Sequence, residues 1–311
     1  ASFYGLDVNK DYWYKEVATT TPVGYKVQTG RTSVTTGDTG KAGIKTLTVA
    51  NDRMTAGTTA IVRKYYSGIT TQDLLDQYMN NNGGKPETTF KLYLYPNGYG
   101  NGKRVEVHVT LSDGYYSYSS NSADPTTMVD TAYTVSEPFK DGNYKQDVMI
   151  SGLPWGDYGI EEVSTADGYS VSSGARYFSV GYDGTNWAIN KAPTSSSSDL
   201  GSGITNMPTQ LSIMKTAADG HDASGAVLTV YKADASGNKT GTVATNPFKR
   251  VSGAAVPFTV TVPDDATTSY TWDVSGIPAG TYYLSEDTAP TQTSIYKFQD
   301  VKFTGHRQRC C

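Results

Sequence analysis

One sequence pattern occurs three times along the chain and limits the folds that the chain can adopt. The clearest copy, ISGLPWGDYGIEEV, begins at Ile150; VSGIPAGTYYLSED begins at Val274, and the fainter YGLDVNKDYWYKEV begins at Tyr4. Each copy of this glutamate motif combines a hydrophobic residue, a tight turn, an aromatic strand and a glutamate at position 16, 162 or 286. The glutamates lie 146 (162 − 16) and 124 (286 − 162) positions apart. Such periods are the size of domains, so the pattern predicts tandem domains of related fold.

The composition favours short strands joined by turns. The 311 residues include 24 Tyr, 32 Gly and 13 Pro, and 18% are charged. Aromatic residues are enriched in strands, whereas Gly and Pro are enriched in turns. We therefore expect an all-β protein, with one short helix over 70–82, TTQDLLDQYMNNN, capped by Thr70 or Thr71.

Charge, hydropathy and cysteine usage argue against several classes of protein. The net charge of −4 is spread over both signs, so we expect no nucleic-acid partner. The chain contains no run of 18 apolar residues, which is the pattern that would predict a membrane span. The three histidines are scattered without metal-ligand spacing, and we expect neither a metal nor a cofactor. Cys310 and Cys311 are adjacent and can hardly cross-link a fold, which leaves an intermolecular disulfide open.

The strand and turn patterns predict three units and a tail. Residues 57–207 contain a complete set of strands with the helix inserted, and 115–136 are interpreted as a polar, tyrosine-rich loop. Residues 1–56 correspond to the second half of such a unit, 208–305 to a unit without its last strand, and 306–311 to a tail. Two explanations stay open: the chain is a window of a longer array, or neighbouring copies donate the missing strands by β-augmentation.

Three features in fixed order carry a resemblance to a known family. Lys64 lies near the end of the first strand of the middle unit, the glutamate motif follows, and TNMPT at 205–209 ends the unit. This order resembles the CnaB-type immunoglobulin-like domains of Gram-positive pilins and surface adhesins. The resemblance implies tandem β-sandwiches in which a lysine and an asparagine form an intramolecular isopeptide bond, assisted by a glutamate.

The chemistry of such a bond explains why these residue types are needed. A lysine is a nucleophile only when it is neutral, and burial disfavours its charged form. The same burial favours a protonated carboxyl, which can hydrogen-bond the asparagine carbonyl and transfer a proton. By resemblance, the middle unit supplies Lys64, Glu162 and Asn206, with Asn190 as an alternative acceptor. The last unit has Lys215 and Glu286 without an acceptor, and the first has Glu16 and Asn51 without a lysine.

Strand alternation distinguishes the two adjacent glutamates of the middle copy. Glu161 and Glu162 point to opposite faces of one strand, so only one of them can enter the core. The positions of Glu16 and Glu286 favour Glu162. An ordinary ion pair between Lys64 and Glu162 is the alternative to an isopeptide site.

The leading hypothesis is a non-enzymatic shaft or stalk segment of an extracellular pilus or adhesin at the cell surface. Its partners would be neighbouring copies or domains of the same polymer. The alternative is a β-sandwich module that binds glycans or a host ligand through exposed aromatic rings in loops and hairpins. The candidate rings for that alternative are Tyr115, Tyr116, Tyr118, Tyr182 and Trp187.

Overall fold

The structure is a computed structural model, and it describes residues 6–7, 9–17, 24–28, 32–35, 50–101, 103–182, 187–191, 203–217, 222–264, 269–290 and 298–305. Strands dominate this part of the chain, which contains one α-helix and a short 3-10 helix. The prediction of an all-β protein is confirmed. The tail, including Cys310 and Cys311, lies outside the described residues.

The first segment packs against the middle unit. Its strands β1 (Asp11–Tyr14) and β2 (Thr32–Thr35) form an antiparallel pair. Arg53 stacks on the ring of Trp155, with its guanidinium carbon 5.2 Å from the ring centroid. Gly24, at φ +89°, lies so close to this ring that a Cβ would approach it to 2.6 Å. The first segment therefore contacts the turn of the second glutamate motif directly.

The middle unit is a sandwich of two six-stranded sheets. Its elements in chain order are β3 (Thr59–Ser67), α1 (Gln72–Asn82), β4 (Thr89–Tyr95), β5 (Val105–Glu106), β6 (His108–Ser112), β7 (Tyr115–Ser119), β8 (Thr127–Val129), the 3-10 helix Asp130–Ala132, β9 (Phe139–Lys140), β10 (Asn143–Ser151), β11 (Gly156–Ser164), β12 (Arg176–Tyr182), β13 (Trp187–Lys191) and β14 (Ile204–Asn206).

The two sheets divide these strands so that β3 and β11 lie on opposite sides of one core. One sheet has the order β14-β3-β10-β7-β6, with β9 beside β10; the other has the order β13-β12-β11-β4-β5, with β8 beside β4. Val62 and Ile150 of the first sheet are buried in one cluster with Phe90 and Tyr158 of the second. Each fully buried side chain of this kind stabilises the fold by about 1.5–3 kcal/mol.

The helix α1 forms where its sequence caps it. Thr71 Oγ1 accepts a hydrogen bond from the backbone N–H of Leu74, and Gly83 ends the helix at φ +78°. Leu75 and Tyr78 are buried, in a second hydrophobic cluster with Tyr66 and Tyr169. The helix therefore packs beside the sandwich, as its apolar face predicts.

The third unit repeats the two-sheet construction. Its strands are β15 (Gln210–Thr216), β16 (Val227–Ala233), β17 (Lys239–Val243), β18 (Thr245–Val251), β19 (Ala254–Pro257), β20 (Thr259–Thr261), β21 (Ser269–Ser275), β22 (Gly280–Thr288) and β23 (Val301–Gly305). Strand β15 pairs with β21, and a second sheet has the order β17-β16-β22-β23 with β20 beside β16. Strands β18 and β19 form a separate hairpin.

Interpreting 115–136 as a loop was wrong. Strand β7 pairs with β6 and runs parallel to β10, while β8 pairs with β4. Tyr116 and Met128 lie in the core, and Asp130 is buried as well. The Ser, Asn and Asp residues of this segment make its sequence resemble a loop, although the inward positions of its strands are apolar.

The junction between the middle and third units is held by backbone hydrogen bonds on both sides. Thr209 N donates to Gly168 O at 2.9 Å, and Gly276 N donates to Thr209 O at 2.8 Å. Thr209 Oγ1 adds a bond to Ile277 O at 2.7 Å. The end of the middle sandwich is thus tied to the third glutamate motif through a single residue.

Candidate functional site

Lys64 lies on the inward face of β3. Along this strand Ala60, Val62, Lys64 and Tyr66 are buried, while Ile61 is 37% exposed. Because side chains alternate across a strand, a lysine in this series has to enter the core. Lys64 is 0% exposed.

Glu162 reaches the same interior from the opposite sheet. Tyr158 and Ile160 precede it on the inward face of β11, and its own side chain is 1% exposed. The pairing of β11 with β4 is irregular between Glu162 and Ser164, so a β-bulge follows the glutamate. Glu161 points outward instead, where it pairs with Arg104.

The two side chains form a buried ion pair. Lys64 Nζ lies 3.2 Å from Glu162 Oε1, and Ser172 N donates to Glu162 Oε2 at 2.7 Å. Burial lowers the pKa of Lys64 to about 8, against the opposing attraction of Glu162 and Asp130. A lysine with this pKa has a substantial neutral fraction just above neutral pH, which is the nucleophilic form.

Asn206 lies on a parallel strand next to the one that carries Lys64. Strand β14 runs along β3 with Ile204 opposite Lys64, and Lys64 Nζ donates to Ile204 O at 3.3 Å. Asn206 is fully buried. Its Nδ2 donates to Thr165 Oγ1, whereas its Oδ1 has no hydrogen-bond partner among the described residues. A buried carbonyl without a hydrogen bond destabilises the fold by about 1–3 kcal/mol, so a donor to Asn206 Oδ1 would be favourable.

Asn190 is placed differently. It lies on β13, opposite Ser179 of β12, and β13 is the edge strand of the sheet that does not contain β3. Its side chain lies outside the described residues. The backbone therefore brings Asn206, and not Asn190, next to the strand that carries Lys64.

The third unit contains a similar lysine and glutamate. Lys215 lies on β15 and Glu286 on β22, in different sheets. Their Nζ and Oε2 atoms are 2.6 Å apart, with side chains 15% and 5% exposed. The construction matches that of Lys64 and Glu162, with somewhat more solvent access to the lysine.

The first segment joins the other two residue types. Asn51 Nδ2 donates to Glu16 Oε1 at 2.5 Å. Gln28 N donates to Glu16 Oε2 at 2.7 Å, as Ser172 N does for Glu162. One carboxylate oxygen is thus held by a backbone N–H in both copies.

Sequence reasoning missed a buried polar group beside the site. Asp130 accepts from Tyr66 Oη at 2.5 Å and from Thr88 N at 2.9 Å. Burial raises the pKa of Asp130 to about 7, against the effects of these hydrogen bonds and of Lys64. Tyr66, two positions after Lys64 on the same face of β3, was the one available signal.

The structure gives less support to the other candidate features, which are glycan-binding rings, metal sites and membrane spans. Tyr116 belongs to the core and cannot bind a glycan, and Tyr115 is 42% exposed, with its ring 4.9 Å from that of Tyr133. The side chains of Tyr182 and Trp187 lie outside the described residues. Within the described ranges, no group of His, Cys, Asp and Glu is arranged to hold a metal ion. None of the described helices is long and apolar enough to cross a bilayer.

No protein-family model matches the chain, and no curated protein matches it either. Similar solved structures include a streptococcal ancillary pilin, at 19% identity over 96% of this chain and 72% of that one, with a TM-score of 0.29. The TIE protein of Bacillus anthracis is 15% identical over 96% of this chain and 40% of that one, with a TM-score of 0.31. A C-terminal fragment of the pilus adhesin SpaC from Lactobacillus rhamnosus GG is 16% identical over 74% and 76%, with a TM-score of 0.28. The chain is thus similar to pilins and pilus adhesins. These identities and TM-scores are too low to support an argument about its function.

Proposed function

We propose that this chain is a structural segment of an extracellular pilus or adhesin stalk, whose middle sandwich is cross-linked by an isopeptide bond between Lys64 and Asn206. The observation that carries the proposal is the buried group of Lys64, Glu162 and Asn206 at the point where β14 joins β3. An ion pair alone would leave Asn206 Oδ1 buried without a donor. The proposed bond gives the asparagine a chemical role.

The reaction that fits these groups is a single turnover within the chain. A proton passes from Lys64 to Glu162, which leaves a neutral amine and a neutral carboxyl. The amine nitrogen attacks Asn206 Cγ while the carboxyl hydrogen-bonds Oδ1. The new bond joins Nζ to Cγ, the bond from Cγ to Nδ2 breaks as Glu162 gives its proton to the leaving nitrogen, and Glu162 then takes up one of the two protons of the attacking nitrogen. The products are a secondary amide and ammonia.

The bond would suit a protein that carries load outside the cell. It would enclose 142 positions (206 − 64), and by analogy with a disulfide it would stabilise the fold by about 5 kcal/mol. Unlike a disulfide, an amide resists reduction. Pulling on the ends of the sandwich would load β3 and β14 through a covalent link. The neighbouring partners in this proposal are further domains or copies of the same polymer.

Intact-mass spectrometry of the purified chain tests the proposal. We expect a mass about 17 Da below that calculated from the sequence, because ammonia leaves when the amide forms. Tandem mass spectrometry of a digest should show one branched peptide that contains residues 64 and 206. Glu162→Ala and Asn206→Ala should both restore the calculated mass.

A matched variant at the surface serves as the control. Glu161→Ala removes the neighbouring carboxylate that pairs with Arg104, and it should leave the mass loss unchanged. A wild-type chain at its full calculated mass would refute the bond. A branched peptide through Asn190 would refute the assignment of Asn206.

A further inference from the structure

A continuous chain of hydrogen bonds runs from Asn206 to Asp130 through the interior of the middle sandwich. Asn206 Nδ2 donates to Thr165 Oγ1. The hydroxyls of Thr165 and Thr88 are 3.0 Å apart, and those of Thr88 and Tyr66 are 2.7 Å apart. Tyr66 then donates to Asp130 at 2.5 Å. All five side chains of this buried relay lie in the core or are nearly free of solvent contact.

The direction of this relay follows from its two ends. When Asp130 is ionised its carboxylate only accepts, so Tyr66 has to donate to Asp130, and the tyrosine oxygen is left to accept from Thr88. Thr88 must in turn accept from Thr165, whose oxygen is then available only to a donor. Within this chain the amide nitrogen of Asn206 satisfies that requirement, and its carbonyl oxygen does not. The charge of Asp130 thus decides which end of the Asn206 amide faces Thr165.

We propose that Asp130 is a positioning residue for isopeptide formation, which acts through Tyr66, Thr88 and Thr165 to hold the carbonyl oxygen of Asn206 away from Thr165 and available to Glu162. The inference rests on the proposed Lys64–Asn206 bond. With the opposite orientation, the amide nitrogen would occupy the place of the oxygen that Glu162 has to polarise. The relay therefore selects the reactive one of two orientations that have almost the same shape.

Asp130→Asn reverses the relay without changing its shape. The backbone N–H of Thr88, which Asp130 Oδ1 accepts at 2.9 Å, can only donate and keeps the oxygen of the new side chain facing it. The new NH₂ group then faces Tyr66 and donates to it. Each hydroxyl turns round, and Thr165 becomes a donor that selects the carbonyl oxygen of Asn206.

The test measures the rate of the mass loss after a pulse of cell-free synthesis of the full chain. We expect Asp130→Asn to slow bond formation by about tenfold or more, the rate equivalent of one misplaced buried hydrogen bond. Thr165→Val, which removes the relay hydroxyl, should also slow it, whereas Thr165→Ser, which keeps the hydroxyl, should react like the wild type. Bond formation in Asp130→Asn at the wild-type rate would overturn the proposal.

A double variant separates positioning from a general loss of stability. In Asp130→Asn/Thr165→Val the relay is already broken at Thr165, so the change at position 130 should slow the reaction no further than Thr165→Val alone. Two effects that multiply would mean that Asp130 acts by another route, and they would also overturn the proposal.

Amide orientation can be measured without the reaction. In the unreactive Lys64→Met/Glu162→Gln chain, NMR should show the Asn206 NH₂ protons close to the Thr165 methyl group, and Asp130→Asn should abolish this proximity. If the wild type shows no mass loss while this contact is present and depends on Asp130, the bond fails and the relay stands. If the contact is absent or insensitive to Asp130, the relay fails, whatever the mass of the wild type and however well each kinetic variant folds.

Discussion

At the scale of residues, the candidate site of the middle sandwich consists of polar groups that a protein core normally excludes. Lys64, Asp130 and Asn206 are each buried, and burying an unpaired charge costs far more than burying a paired one. Lys64 is tolerated because Glu162 Oε1 lies 3.2 Å away and two backbone carbonyls accept from it. Because Lys64 and Glu162 are in contact, a proton that passes from the lysine to the glutamate neutralises both groups and leaves no unpaired charge of theirs in the core.

The lowered pKa of Lys64 makes a prediction about stability against pH. This prediction is tested in the Asn206→Ala variant, because without the acceptor asparagine the Lys64 amine stays free. Unfolded lysine keeps its proton to about pH 10.5, whereas the folded residue loses it above about pH 8. Between these values the unfolded state binds more protons, so the free energy of unfolding should rise with pH, by about 3 kcal/mol in total. Denaturant unfolding at pH 7 to 10.5 measures this rise.

The control for this titration removes the lysine alone. Lys64→Met/Asn206→Ala should lack the rise, and the difference between the two variants cancels the tyrosines that titrate in the same range. The charged and titratable groups that face Lys64 are Glu162, Asp130, Arg176 and Tyr66. Identical pH profiles for the two variants would show that burial does not lower the pKa of Lys64.

At the scale of elements, the helix α1 connects the middle sandwich to the third unit. Asn81 Nδ2 lies 3.1–3.2 Å from the carbonyl oxygens of Asn246, Pro247 and Lys249, and Arg250 donates to Asn81 Oδ1 at 2.8 Å. Phe248 packs on Tyr78 and Tyr169, with ring centroids 5.7 and 5.1 Å apart. The helix therefore holds the β18–β19 hairpin as well as covering its own sandwich.

Replacing Asn81 tests this role of the helix. Asn81→Ala removes the side-chain donor to the carbonyls of Asn246 and Lys249 in β18, whereas Pro247 O keeps a bond from Asn82 Nδ2, so the hairpin should open more often. We expect amide hydrogen exchange over 245–257 to become about five- to tenfold faster, with little change in β3 or β14. Asn80→Ala is the matched control, because Asn80 is exposed on the same helix. Equal exchange rates in both variants would contradict the role of Asn81.

At the scale of the whole molecule, the site lies where force would pass along the chain. Strands β3 and β14 are parallel neighbours that begin and end the middle sandwich, so an amide between Lys64 and Asn206 would bypass everything between them. The connection continues at once into the third unit through Thr209. A covalent link at this place protects more chain than one between any adjacent hairpin strands would.

Single-molecule pulling measures that protection. When the chain is held at its two ends, the wild type should extend about 500 Å less than Asn206→Ala, because 142 residues at about 3.5 Å each stay enclosed. The third unit should unfold in both proteins and provides an internal reference. Equal final lengths would mean that no bond spans these positions.

Local sequence rules were sufficient for much of this protein. The glutamate motif, the helix with its cap at Thr70 or Thr71 and the inward face of β3 depend on neighbours a few positions apart, where periodicity and turn chemistry act. The same alternation separates Glu161 from Glu162. The strands within 115–136 were missed because their outward residues are as polar as those of a loop, and because only pairing with β4, β6 and β10 makes them strands.

Only the tertiary structure decided how the site is assembled. The sequence by itself determined that a lysine, a glutamate and an asparagine recur in order, and that Lys64 and Glu162 point inward. It favoured Asn206 over Asn190 only by resemblance, and apart from Tyr66 on β3 it contained no sign of the buried polar group at Asp130. Which acceptor strand lies beside β3, and which carboxylate ends the relay from Asn206, depend on packing between segments 40 to 140 positions apart. Contacts at such separations follow from the closing of two sheets over one core, and no local pattern encodes them.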